Sequence, residues 1–156
     1  MADCTPLHIR PAETEDLANV LALYAQPEFD DGEVLPVEEA ARLHAKFARY
    51  PDYTLYVAER DGSIVGSFAL LFMDNLGHRG APSAIVEDVV VDPALQGQRI
   101  GEKMMRFAME KCRAKGCYKL MLSSNARRER AHAFYEALGF ERHGFSFRIV
   151  LEGASA

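Results

Sequence analysis

Apolar residues along this chain switch between a period of two and a period near 3.6, and the switches mark its elements. Residues 7–10 predict a short first strand, turned by Pro11. Thr14 is the expected N-cap of a helix, with Glu15 and Asp16 suited to its first turn. Leu17, Val20, Leu21 and Tyr24 then fall at i, i+3, i+4 and i+7, one apolar face. After an acidic loop at 26–33, residues 37–50 predict a second helix that buries Ala40, Leu43 and Phe47. Residues 53–60 and 63–73 read as strands joined at Asp61-Gly62, a strong hairpin signal.

A polar loop at 74–83 leads into the most informative stretch, AIVEDVVVDPALQGQRIG, from Ala84 to Gly101. Ile85, Val86, Val89, Val90 and Val91 make a β-branched strand suited to a sheet covered on both faces. Pro93 stops it near Asp92. Ile100, Met104, Phe107, Ala108 and Cys112 recur at helical spacing, and the helix ends near Lys115 with Gly116 as its cap. A strand at 118–123 and a helix at 128–138, closed by Gly139, follow. Residues 140–143 and 145–151 read as a final hairpin. The order predicts an α+β fold, with antiparallel hairpins and one crossover.

At 156 residues the chain reads as a single domain, 1–156, and nearly half its residues are hydrophobic, which excludes a disordered chain. A formal charge of −5 argues against a nucleic-acid binder and is compatible with cationic amines as partners. No apolar run reaches membrane-spanning length, and MADCTPLHIRPAET lacks a signal peptide's apolar core. Cys4, Cys112 and Cys117 have no metal-type spacing, so reduced thiols in a cytoplasmic protein are expected. His8, His44, His78, His132 and His143 are scattered, so no metal is expected; His132, on the last helix, is the one to watch.

The helix start after Gln96 offers free N–H groups, a natural cradle for phosphate or pyrophosphate. It has neither the lysine and Ser/Thr of a nucleotide-hydrolysing loop nor the G-x-G-x-x-G of a dinucleotide site. Glu87 and Asp88 stand inside an otherwise apolar strand, where carboxylates are costly unless paired or functional. Alternation would send them to opposite faces, so they are not expected to act as one pair. Tyr135 shares a helix face with Ala131, Phe134 and Leu138, which by spacing alone is a core position. Arg127, Arg128 and Arg130 form a basic run, either a solvated face or a phosphate contact.

Gln96-Gly97-Gln98-Arg99-Ile100-Gly101 resembles the Q/R-x-x-G-x-G/A turn of the GNAT family of N-acetyltransferases. Phe134-Tyr135-Glu136-x-x-Gly139-Phe140 resembles its F/L-Y-E-x-x-G-F signature. The likeness covers roughly residues 84–148 and, more weakly, the N-terminal region. It implies a mixed, mostly antiparallel sheet of six or seven strands flanked by about four helices, and acetyl-coenzyme A as co-substrate. By this resemblance Gln96, Gly97, Gln98, Arg99, Ile100 and Gly101 hold the pyrophosphate, with Arg99 standing where the family usually has Gly. The backbone of Val89, Val90 and Val91 would meet the pantetheine arm at a bulge. Asn125 and Arg128 are the candidates for a further coenzyme contact that many relatives assign to an Asn.

The resemblance also distributes the chemistry. Acyl transfer to an amine needs a base, an oxyanion donor and an acid for the leaving thiolate. Glu87 is the implied base, acting directly or through water, against the alternative that it caps a loop or pairs with a buried Arg. Tyr135 is the implied acid. Ile85 to Asp92, with Gly116 to Leu120, looks like the glucosamine-6-phosphate N-acetyltransferase subfamily. Ser123 to Arg128, with Ala131 to Tyr135, looks more like the aminoalkylphosphonate subfamily. Both imply a small primary amine as acceptor, no nucleic-acid or membrane partner, and a homodimer. The rival reading is a coenzyme-A-binding regulatory domain without turnover.

Overall fold

The computed structural model describes residues 6–151, in two compact units, one running to Leu122 and one starting at Ser123. The first holds β1 His8–Pro11, α1 Leu17–Tyr24, α2 Val37–Phe47, β2 Tyr53–Arg60, β3 Ser63–Met73, β4 Ser83–Val91, α3 Ile100–Ala114 and β5 Lys119–Met121. The strands pair in sequence order; β1–β2, β2–β3 and β3–β4 are antiparallel and β4–β5 is parallel. This is the α+β arrangement with a mixed, mostly antiparallel sheet, but among the described residues it has five strands rather than six or seven. The second unit holds α4, Glu129–Ala137, and has no strand among its described residues.

The sheet carries an apolar layer on each face. On one, Leu17 and Val20 of α1 pack with Leu55, Val57 and Ala69, and Phe47 of α2 stacks on Tyr53 at 4.3 Å. On the other, Phe107 of α3 sets its edge against Tyr56 at 5.2 Å and Phe68 at 6.4 Å. Phe68, Leu70, Met104 and Met105 are fully buried. Each such side chain contributes about 1.5–3 kcal/mol, enough together to fix the start of α3 against the end of β4. Asp61 and Gly62 take φ of 50° and 72°, the left-handed pair that a two-residue hairpin requires.

Gly66 lies on the sheet beneath Met104 of α3. A Cβ there would meet the Met104 sulfur at 2.7 Å and the Val90 carbonyl oxygen at 3.2 Å. The sulfur can swing away, but the backbone oxygen cannot. Gly66→Ala is expected to destabilise the protein by about 1–3 kcal/mol, read as a lower urea midpoint at unchanged slope.

Several expectations are corrected. Thr14 lies inside a 3-10 turn, Thr14–Asp16, and is not the N-cap. Asp16 organises that entry instead: its carboxylate accepts the Glu13 N–H at 2.8 Å and two guanidinium N–H groups of Arg10 at 2.7 and 3.0 Å. The Arg10 hydrogen bonds hold its pKa below the usual carboxylate value. α2 stops at Phe47 rather than 50, because Pro51 disfavours helical backbone in the residue before it. Leu43 is exposed, while Ala40 and Phe47 pack as expected.

The strand at 118–123 contracts to Lys119–Met121, and the hairpin at 140–151 is not formed. Alternation specifies which face is apolar but supplies no partner, and a strand exists only against a neighbour. Phe145, Phe147 and Ile149 are 92%, 92% and 83% exposed. Cys112 is buried and Cys117 half-buried, both free thiols; Cys4 lies outside the described residues.

Candidate active site

The site begins with a fault in β4. Ala69 of β3 faces Glu87 and Ser67 faces Val90, so two steps along β3 match three along β4. The extra residue is a bulge at Asp88-Val89, with Asp88 at φ 53°. The resemblance placed it near 89–91. β5 pairs with β4 only through Ser83, Ala84 and Ile85. Beyond Ile85 the β5-side edge of β4 has no ladder, so backbone groups of Glu87 to Val91 are open on that side. The amide of Gln26 takes up one of the carbonyls, at Val91, at 3.2 Å.

The bulge also overturns the expectation that Glu87 and Asp88 are buried on opposite faces. Both are exposed. Glu87 lies opposite Ala69, on the α1–α2 face, and the charge of Asp88 is felt by Tyr24 and Tyr53 on that same face. Desolvation, then the Asp88 charge, raises the Glu87 pKa. Desolvation, then Asp30, raises that of Asp88. A basic carboxylate is thereby formed without an arginine partner.

Around this pair stand groups that sequence reasoning did not assign to the site. Tyr24 and Phe29 stack at 4.6 Å, and the intervening loop is tied by the Asp30 N–H to the Tyr24 carbonyl at 3.0 Å. That loop brings Asp30 toward Asp88. Burial raises the Tyr24 pKa, and the Asp88 charge raises it further. Tyr53 is raised by desolvation, then by Asp88 and Glu87. Their helical and strand periodicities mark both tyrosines as core, which hides their polar ends.

After β4, the Asp92 side chain accepts the Ala94 N–H at 2.9 Å and starts the 3-10 turn Pro93–Leu95. Gly97 has φ 86°, and Arg99, the residue before α3, has φ 60° and ψ 21°. Arg99 therefore adopts the backbone that a Gly there would take freely. Its guanidinium donates to Glu102 at 2.7 and 2.9 Å. The N–H groups at the start of α3 (Ile100, Gly101 and Glu102) have no partner within the helix. Val89–Val91 and 96–101 thus lie along one continuous run from open strand edge to helix start.

In the second unit, the Asn125 side chain accepts the Arg127 N–H at 3.0 Å, and its carbonyl meets the His132 ring at 2.9 Å. Asn125 is engaged in building the turn before α4. Tyr135 is half-buried between Phe134 at 5.1 Å and Phe140 at 5.6 Å. Burial raises its pKa, and the Arg128 charge pulls it down. Gly139, at φ 95°, lets the Phe140 N–H return to the Tyr135 carbonyl and end α4. Among the described residues no cluster of His, Cys, Asp or Glu is placed to hold a metal, and no helix is long and apolar enough to cross a membrane.

Residues 17–140 match the model of the acetyltransferase (GNAT) family. A glucosamine 6-phosphate N-acetyltransferase of Trypanosoma brucei brucei is 30% identical over 155 residues, 97% of this chain and 100% of that protein. An aminoalkylphosphonate N-acetyltransferase of Salmonella typhimurium is 30% identical over 143 residues, 92% and 90% of the two chains. The crystal structure of a transcriptional regulator from Bacillus halodurans superposes with a TM-score of 0.86 at 26% identity, covering 94% of this chain and 100% of that one.

Proposed function

This chain belongs to the acetyltransferase (GNAT) family, and from that premise we propose that it is an acetyl-coenzyme A-dependent N-acetyltransferase for the primary amine of a small molecule. The observation that carries the reading is the open edge of β4 running into the free start of α3, with two basic carboxylates at the bulge between. The residues fit the coenzyme: an unpaired strand edge suits an extended amide-bearing arm, and helix N–H groups suit a diphosphate. When bound, it supplies an activated acetyl thioester.

Glu87 takes the proton of the incoming ammonium, directly or through a water. Tyr135 holds a proton at its phenol oxygen for the departing sulfur. Backbone at Val89 to Val91 orients the thioester, and Gln96 to Gly101 hold the phosphates, with Arg128 and Asn125 as outer contacts. All of 1–156 is read as one catalytic domain. The free Cys112 and Cys117 thiols suit a reducing cytoplasm. A homodimer would cover Phe145, Phe147 and Ile149.

Asp30, Glu87 and Asp88 with Tyr24 and Tyr53 favour a cationic acceptor over a phosphorylated one, since an anionic group would add like charge. Isothermal titration with acetyl-coenzyme A should show saturable binding that ATP does not reproduce. Arg99→Glu, which reverses a charge beside the diphosphate, is expected to weaken it about tenfold or more. Turnover of a panel of amines, including diamines and glucosamine 6-phosphate, then decides the acceptor. Absence of binding at millimolar ligand would reject the acetyltransferase reading.

A further inference from the structure

Arg60 is the last residue of β2 and is only 7% exposed. One terminal nitrogen of its guanidinium donates to the Gln98 side-chain oxygen at 2.6 Å, inside the turn that leads into α3. Its Nε is buried and has no partner. Among the described residues, the ion pairs within 4.0 Å include none to Arg60. Burying a guanidinium without a counter-charge is costly.

Arg10 shows the ordinary solution in the same sheet. Its partly buried guanidinium is met by two carboxylates, Asp16 at 2.7 Å and Glu59 at 2.9 Å. Among the described residues, the side-chain partner of Arg60 is the neutral amide of Gln98. Buried charges are ordinarily paired with an opposite charge. The one place its charge is directed is the phosphate turn.

We propose that Arg60 is a positioning residue of that turn, fixing Gln98 and leaving its buried charge to be balanced by the diphosphate of the bound coenzyme. This rests on the acetyltransferase reading. It explains why a strand otherwise apolar or half-buried ends in a charged side chain turned inward, and it predicts opposite effects on stability and binding.

Arg60→Met keeps the packed stem and removes the charge. Titration with coenzyme A and with its 3′-dephospho form should show at least tenfold weaker binding of both, while the melting temperature of the ligand-free protein stays level or rises. Equal affinity in variant and wild type overturns the proposal. So does a loss confined to coenzyme A, which would direct the charge to the 3′-phosphate, and so does a lower melting temperature with unchanged affinity, which marks a structural residue. Gln98→Glu is the companion variant, because it gives the guanidinium a partner within the chain and needs no change at Arg60. It should also weaken both ligands at least tenfold, and wild-type affinity would overturn the proposal even if Arg60→Met does not fold. Failure of the wild type to bind either ligand would instead remove the acetyltransferase reading, and this inference with it.

Discussion

Tyr135→Phe is expected to lower kcat about 100-fold or more while moving the affinity for acetyl-coenzyme A by less than about threefold. The substitution keeps the ring between Phe134 and Phe140 and deletes only the hydroxyl. An ordinary tyrosine, pKa about 10, is a weaker acid than a thiol at about 8.5, an uphill transfer of roughly 2 kcal/mol. Burial lengthens that climb and the charge of Arg128 shortens it. Because the protonated phenol is the competent form, kcat should hold through neutral pH. It should fall only as pH rises through a tyrosine pKa that burial holds above its ordinary value. The Phe variant should lack that basic limb. Steady-state rates from pH 6 to 11 test both points, and an unchanged profile would remove Tyr135 from the chemistry.

Glu87→Gln is expected to cost about 10²–10⁴-fold in kcat/KM, the usual contribution of a positioned base. The side chains are nearly isosteric and the position is exposed, so folding should be unaffected. Here the deprotonated form is competent. Desolvation and Asp88 raise the Glu87 pKa, so activity should fall, as pH drops, above the normal carboxylate range. Asp88→Asn removes the second of those causes and should move the acid limb to lower pH without abolishing activity. If Glu87→Gln retains wild-type kcat/KM and its acid limb, the base lies elsewhere.

How far the sequence foretold all this depended on whether a feature was local. Tyr53–Arg60, Asp61-Gly62 and Ser63–Met73 were readable to the residue, because alternation, turn chemistry and pairing all lie within one hairpin. The start of α3 was readable less sharply, as a helix beginning after Gln96 with apolar spacing from Ile100. The bulge was not, since an extra residue in β4 is defined only against β3. Two adjacent carboxylates in an apolar strand were its visible trace. Tyr24, Tyr53 and Arg60 escaped for a related reason: periodicity locates a side chain on a face but does not say what its polar end meets. The segment 140–151 shows the converse, a strand-like pattern whose partner is not specified by its own residues.

The parting of β4 from β5 has a consequence for colloidal behaviour. An unpaired strand edge is a template for any extended polypeptide, and in most proteins such an edge is shortened or covered. A protein that must keep one open for a ligand needs another safeguard. Here the kink at Asp88 breaks the straight register that an incoming β-strand would require, and two neighbouring negative charges disfavour another copy of a chain whose net charge is −5. Asp88, which distorts the strand, thereby also guards its open edge against pairing with another copy of the chain.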